Sequence, residues 1–167
     1  MGTSSGRPIG TVVLATTLAL AGLVPALPGT ASAENTGDIR NGSNARCLDV
    51  HLPELHQDGA RIQLWDCHNG LNQEWDYDEQ WRVIHNRESG RCLDADLASI
   101  DRNGTRVQLW ECHADPNQQW TYDPDTRVLR NAHSGRCLDA KLEEINDNGT
   151  PVQLWDCHGD KNQRWYF

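Results

Sequence analysis

One stretch occurs three times in this chain, and it limits the possible folds more than any other feature. Its first copy holds Cys47-Leu48-Asp49, Gln63-Leu64-Trp65-Asp66-Cys67-His68 and Asn72-Gln73-Glu74-Trp75. The second holds Cys92-Leu93-Asp94, Gln108-Leu109-Trp110-Glu111-Cys112-His113 and Asn117-Gln118-Gln119-Trp120. The third holds Cys137-Leu138-Asp139, Gln153-Leu154-Trp155-Asp156-Cys157-His158 and Asn162-Gln163-Arg164-Trp165. Cys47, Asp49, Gln63, Trp65, Cys67, His68, Asn72, Gln73 and Trp75 each return 45 residues later without a slip, as in Cys47, Cys92 and Cys137. A fixed period of this length is the signature of one supersecondary unit repeated.

The repeat does not reach the N-terminus. Residues 1–33 read as a secretory signal: Arg7 is the only charge, Val12 to Leu27 is mostly small and apolar, and Ala31-Ser32-Ala33 suits a cleavage site. The run is short for a membrane span, holds Pro25 and is followed by Pro28, which argues against an anchor. The mature chain is then 34–167, exported, with no later segment apolar enough to cross a bilayer. Residues 34–38 read as a loose tail, and 39–167 as one domain of three units: 39–82, 83–127 and 128–167.

Taking Arg7 from the 15 basic residues leaves 14 against 24 acidic ones, a formal charge of −10. Such a surface repels phosphate backbones, so nucleic acid is not an expected partner. The six cysteines all lie in the units, and an even number in an exported chain implies disulfides. Two pairings respect the threefold symmetry. One joins Cys47 to Cys67, Cys92 to Cys112 and Cys137 to Cys157; the other joins each second cysteine to the next unit's first. The within-unit scheme is favoured because each unit then carries its own staple. Oxidised cysteines do not ligate metal, and the paired spacing of a zinc site is missing. Neither a metal nor a cofactor is expected.

Each unit reads as four short strands separated by polar turns. The loop after the second strand carries an apolar pair three apart (Leu52/Leu55, Leu97/Ile100, Leu142/Ile145), the spacing of one helical turn tucked against the core. In the third strand, Ile62 and Leu64 share one face, while Gln63 and Trp65 point outward. A large aromatic on the polar face, three times over, requires an explanation; packing over the nearby disulfide is the plain one. Trp75, Trp120 and Trp165 read as core, since the chain has one Phe and its only Met is the initiator. Trp81 has no counterpart and reads as turn packing. Twelve short strands in threefold repetition predict a closed all-β structure, a β-trefoil with pseudo-threefold symmetry, because closure removes exposed edges. A three-bladed propeller is the competing arrangement.

These motifs resemble the ricin B-type lectin family, also described as carbohydrate-binding modules of family 13. The resemblance covers about 39–167. It implies a β-trefoil with up to three sugar sites, one per unit, and one disulfide inside each unit. It also implies a pocket acid at Asp49, Asp94 and Asp139, and a stacking aromatic at Trp65, Trp110 and Trp155. The pocket amide falls on Asn72, Asn117 and Asn162. Gln73, Gln118 and Gln163 would support the acid, and Gln63, Gln108 and Gln153 complete the set. His68, His113 and His158 either add a bond at the pocket edge or cap a turn beside the disulfide.

The chemistry suits a pyranose. An outward indole offers a flat face to the sugar's C–H groups at low entropic cost. A carboxylate accepts from adjacent hydroxyls, and an amide can donate to one and accept from another. The expected partners are glycans: galactosides, or a plant polysaccharide such as xylan or arabinan, bound by a monomer. A glycoside hydrolase needs two carboxyls flanking one bond; Asp96, beside Asp94, has no equivalent in the other units, so no enzyme is expected. A protein-binding trefoil, such as a protease inhibitor, is the alternative, although no single loop stands out for that role.

Overall fold

The computed structural model describes residues 1–2 and 35–167. The signal read over 1–33 lies outside them except for its first two residues. The strands are those the apolar alternation demands. β1 is Asn35–Asp38. Unit one contributes β2 (Arg40–Asn41), β3 (Cys47–Val50), β4 (Ala60–Trp65) and β5 (Glu74–Asp78). Unit two contributes β6 (Val83–Asn86), β7 (Cys92–Ala95), β8 (Thr105–Trp110) and β9 (Trp120–Asp123). Unit three contributes β10 (Val128–Asn131), β11 (Cys137–Ala140), β12 (Thr150–Trp155) and β13 (Trp165–Tyr166). All belong to one sheet, and every pairing between them is antiparallel.

Two sets of contacts close this sheet on itself. The third strands of the three units pair with one another: β4 with β8, β8 with β12, and β12 with β4. The last strand of each unit pairs with the first of the next: β5 with β6, β9 with β10, and β13 back to β2. The result is a β-trefoil. Closure satisfies the edge groups that strands as short as two residues (β2, β13) would otherwise expose.

The core lies where the third and fourth strands meet. Ile62, Leu64, Val107, Leu109, Val152 and Leu154 are buried. Trp75, Trp120 and Trp165 are fully buried, and each indole N–H donates to the carbonyl of the Leu before its unit's Asp: Leu48, Leu93 and Leu138, at 2.9–3.0 Å. A buried indole needs such a partner. The same bond fixes the strand that carries the Asp. Below these rings Phe167 packs against Tyr77 and Tyr122, with centroids 5.8 and 4.9 Å apart.

Three readings from sequence are corrected here. Residues 35–38 are not a loose tail: Gly37 lies opposite Trp75 in β5. The carbonyls of Arg82 and Arg127, at the same place in the period, accept from the N–H groups of Trp120 and Trp165. The repeat therefore begins one short strand earlier than its side-chain motif, because pairing here uses backbone groups that any residue supplies. The loop pair is split. Leu55 and Ile100 are buried and Ile145 packs against the core, whereas Leu52, Leu97 and Leu142 are exposed. Trp81 does not pack into its turn and stands exposed.

The disulfides join Cys47 to Cys67, Cys92 to Cys112 and Cys137 to Cys157, each across 20 residues, within units. Loops of that length contribute about 3 kcal/mol each through the entropy of the unfolded chain. Replacing Cys47 and Cys67 together by Ala should lower the unfolding free energy by about that amount in urea titration, with far-UV circular dichroism of the folded state unchanged.

Candidate functional site

Each unit brings its Asp, Gln, Trp, His and Asn to one outer cleft. The Asp sits on the second strand opposite the first Gln of the third, as Asp49 opposite Gln63, Asp94 opposite Gln108 and Asp139 opposite Gln153. The Asn and second Gln lie on a single 3-10 turn: Leu71–Gln73, Pro116–Gln118 and Lys161–Gln163. Pro116 suits the start of such a turn, where no N–H is needed. A buried Asn from an adjacent first strand anchors each turn: the Asn41 amide donates to Asn162 O, Asn86 to Leu71 O and Asn131 to Asn117 O.

The three carboxylates are each about 3% exposed. A buried charge must be hydrogen-bonded, and three amides do this. Oδ1 of Asp49, Asp94 and Asp139 accepts from Gln63, Gln108 and Gln153 at 2.9–3.1 Å. Oδ2 accepts from Asn72, Asn117 and Asn162 at 2.7–2.8 Å, and from Gln73, Gln118 and Gln163 at 2.8–3.0 Å. Burial raises the carboxyl pKa of Asp94 and Asp139 above the usual aspartate value; the bonds from Gln108, Gln118, Gln153 and Gln163 pull it back.

This network fixes what each amide can offer a ligand. Gln73, Gln118 and Gln163 are fully buried. Each also donates to a backbone carbonyl and accepts from the N–H of the neighbouring His. They hold the acid and the turn and lie beyond a ligand's reach. The Asn amides cannot donate outward, since their N–H groups serve the Asp and the carbonyls of Val50, Ala95 and Ala140. Only Oδ1 is left, as an acceptor. Asn162 Oδ1 is buried without a hydrogen-bond partner among the described residues. Such an orphan at a cleft wall calls for a donor. With three of about four acceptor positions taken, each carboxylate retains room for one further hydrogen.

Each His caps a turn and borders its cleft. Nδ1 of His68, His113 and His158 accepts from the N–H two residues on, at 3.2–3.3 Å. Nε2 faces the carboxylate of Asp49, Asp94 and Asp139 at 3.6–3.7 Å. The His thus caps its turn and also presents an edge to the cleft.

Trp65, Trp110 and Trp155 are 38%, 39% and 39% exposed. Their outer edges are free, and the other wall comes from the neighbouring unit. A Cβ added to Gly149 would lie 3.9 Å from the Trp65 ring, one on Gly59 3.8 Å from Trp110, and one on Gly104 4.0 Å from Trp155. These glycines have φ of +81° to +94°, which other residues rarely adopt. The residue before each pins the approach: Asp58, Asn103 and Asn148 accept from the N–H of Glu111, Asp156 and Asp66. Asp/Asn-Gly recurring with the period is the sequence signal for this wall.

The clefts of units one and three measure about 380 and 280 Å³. The first is rimmed by His51, Leu52 and Pro53, the third by Lys141, Leu142 and Glu143. Leu52 and Leu142, the exposed members of their apolar pairs, thus line these two rims. A shallow bowl of this kind has one aromatic wall and an acceptor-rich floor, which suits a small neutral ligand carrying an apolar face and hydroxyl donors.

A sequence profile of the ricin-type beta-trefoil lectin domain matches residues 35–165. Among solved structures, the designed threefold-symmetric protein ThreeFoil is 27% identical with a TM-score of 0.71, the match covering 78% of this chain and 95% of that one. The hemolytic lectin CEL-III is 26% identical with a TM-score of 0.66, over 79% of this chain and 29% of its own. An exo-beta-1,3-galactanase from Clostridium thermocellum is 25% identical with a TM-score of 0.66, over 84% of this chain and 30% of its own. The chain therefore spans under a third of the length of these last two proteins.

Gln118→Leu tests the floor. It removes a donor that lowers the Asp94 pKa, so that pKa should rise further. A raised folded-state pKa costs stability above it and none below the unfolded value. The variant's deficit, about 2 kcal/mol near neutrality, should shrink as pH falls through the Asp94 titration, followed by urea unfolding and carboxyl NMR.

Proposed function

Since the chain belongs to the ricin-type beta-trefoil lectin domain family, we propose that it is an exported, non-catalytic carbohydrate-binding protein with up to three sugar sites. Asp49, Trp65, His68 and Asn72 form one site; Asp94, Trp110, His113 and Asn117 the second; Asp139, Trp155, His158 and Asn162 the third. Gln63, Gln108 and Gln153 brace the acids from the cleft side. The observation that carries the reading is a half-exposed indole beside a buried, amide-held carboxylate, present three times.

The ligand's C–H face lies on the indole, one hydroxyl donates to the free position on Asp Oδ1, and a second donates to Asn Oδ1. An acceptor-rich floor selects hydroxyl donors, and a misplaced hydroxyl leaves a buried acceptor unpaired. We take the ligand class to be galactose-type sugars or a plant polysaccharide such as xylan or arabinan. The solved galactanase, named for its action on a galactan, supports the first. The committed state of each retained carboxylate supports binding without hydrolysis, which asks for a free acid and a free base. The protein works as a monomer, and avidity on a polymer comes from three sites on one body, roughly 10²–10⁴ over a single site when several engage.

Titration of the chain with free galactose, xylose and arabinose, followed by Trp fluorescence and calorimetry, should give saturable binding. Ala at Trp65, Trp110 or Trp155 should remove one site each, and Ala at all three should abolish binding while leaving the unfolding midpoint within a few tenths of a molar urea. Blank titrations, with polysaccharide pull-down also blank, would leave a protein-binding trefoil as the better reading.

A further inference from the structure

Trp81 is the most exposed of the seven tryptophans, at 59%. It has no aromatic counterpart: the period puts Thr36 and Thr126 in its place. Its turn is built to present it. Asp78 Oδ1 accepts from the N–H groups of Gln80 and Trp81. On the other side, the Arg82 guanidinium donates to Gln119 Oε1 at 2.9 Å, and the Arg82 carbonyl accepts from Trp120 N–H at 2.7 Å. An exposed indole on a pinned backbone offers contact area with little conformational entropy to lose.

Beside it lies an open cleft of about 530 Å³, lined by Trp81, Val83, His85, the Cys92–Cys112 disulfide and His113. His113 also borders the second site, its Nε2 3.7 Å from Asp94 Oδ2. Cys92 lies opposite Trp110 in the β7–β8 register. The surface from Trp110 to Trp81 thus runs over the disulfide and the His113 ring. The equivalent cleft of unit three holds Thr126 and Arg130 where unit two has Trp81 and His85, and His158 is not among its lining residues.

We propose that the second site continues across His113 onto Trp81, making unit two a subsite for oligosaccharides while units one and three read single sugars. This deepens the sugar-binding reading and rests on it. The occupant is a further neutral sugar of the same chain, stacked on Trp81. The lining has no carboxylate, Lys or Arg, which fits a neutral ring, and a glycan seated against Asp94 has to leave the site over some rim.

The test isolates site two with Trp65→Ala and Trp155→Ala in the full chain, then adds Trp81→Ala or Trp81→Phe. Calorimetry compares galactose with β-1,3-galactotriose and xylose with xylotriose. The trisaccharide-to-monosaccharide affinity ratio should be about ten or more for the matching sugar. It should fall about tenfold with Trp81→Ala and be largely kept by Trp81→Phe. Binding whose ratio ignores Trp81→Ala overturns this inference and leaves the sugar sites standing. Absence of any sugar binding in the unmutated chain overturns both.

Discussion

A carboxylate about 3% exposed to water survives as an ion only when donors surround it, and the rest of the structure follows from meeting that demand three times. Asp49 draws Gln63 from the third strand, and Asn72 and Gln73 from the 3-10 turn, to one point. Three elements of a unit, the second strand, the third strand and the 3-10 turn, are tied together by one carboxylate. The disulfide from Cys47 to Cys67 closes the same loop from outside, and the Trp75 indole fixes the strand from inside through Leu48 O. The floor of the cleft is also the knot of the unit, so the residues that would discriminate a ligand are rigid before it arrives.

That double duty explains the retention of Asp, Asn and both Gln in all three copies beside freely varying loop positions such as Pro53, Ala98 and Glu143. It also divides the work. Gln73, Gln118 and Gln163 act only through the acid they hold, while Trp65, Trp110 and Trp155 contribute little to the knot and face outward. Differences among the three clefts fall on the rims, where His51 and Pro53 in one stand against Lys141 and Glu143 in another.

Most of the fold was legible because its signals are side chains at a fixed period: the Cys pairs, the alternation in Ile62 to Trp65, and the late Trp in a chain short of other large residues. What escaped was carried by backbone. The strand at Asn35–Asp38 pairs through N–H and C=O groups, and against Gln80–Val83 and Asp125–Val128, the stretches one and two periods on, its only matching residue is Thr36 with Thr126. The Asn amide direction escaped too, since a sequence names a group that both donates and accepts and does not say which end is spent. The exposure of Leu52 against the burial of Leu55 depends on the tilt of one short turn, which spacing alone leaves open.

The neighbour's turn behind each indole has a further bearing. Gly149 and Asn148 of unit three back the Trp65 cleft of unit one, as Gly59 and Asp58 back Trp110 and Gly104 and Asn103 back Trp155. No unit owns its bowl outright. Local fraying of one unit therefore spoils two bowls at once, its own and the one it buttresses, and leaves a single intact one. Damage to this molecule, by heat or by a nicking protease, would take the count of intact bowls from three to one without passing through two.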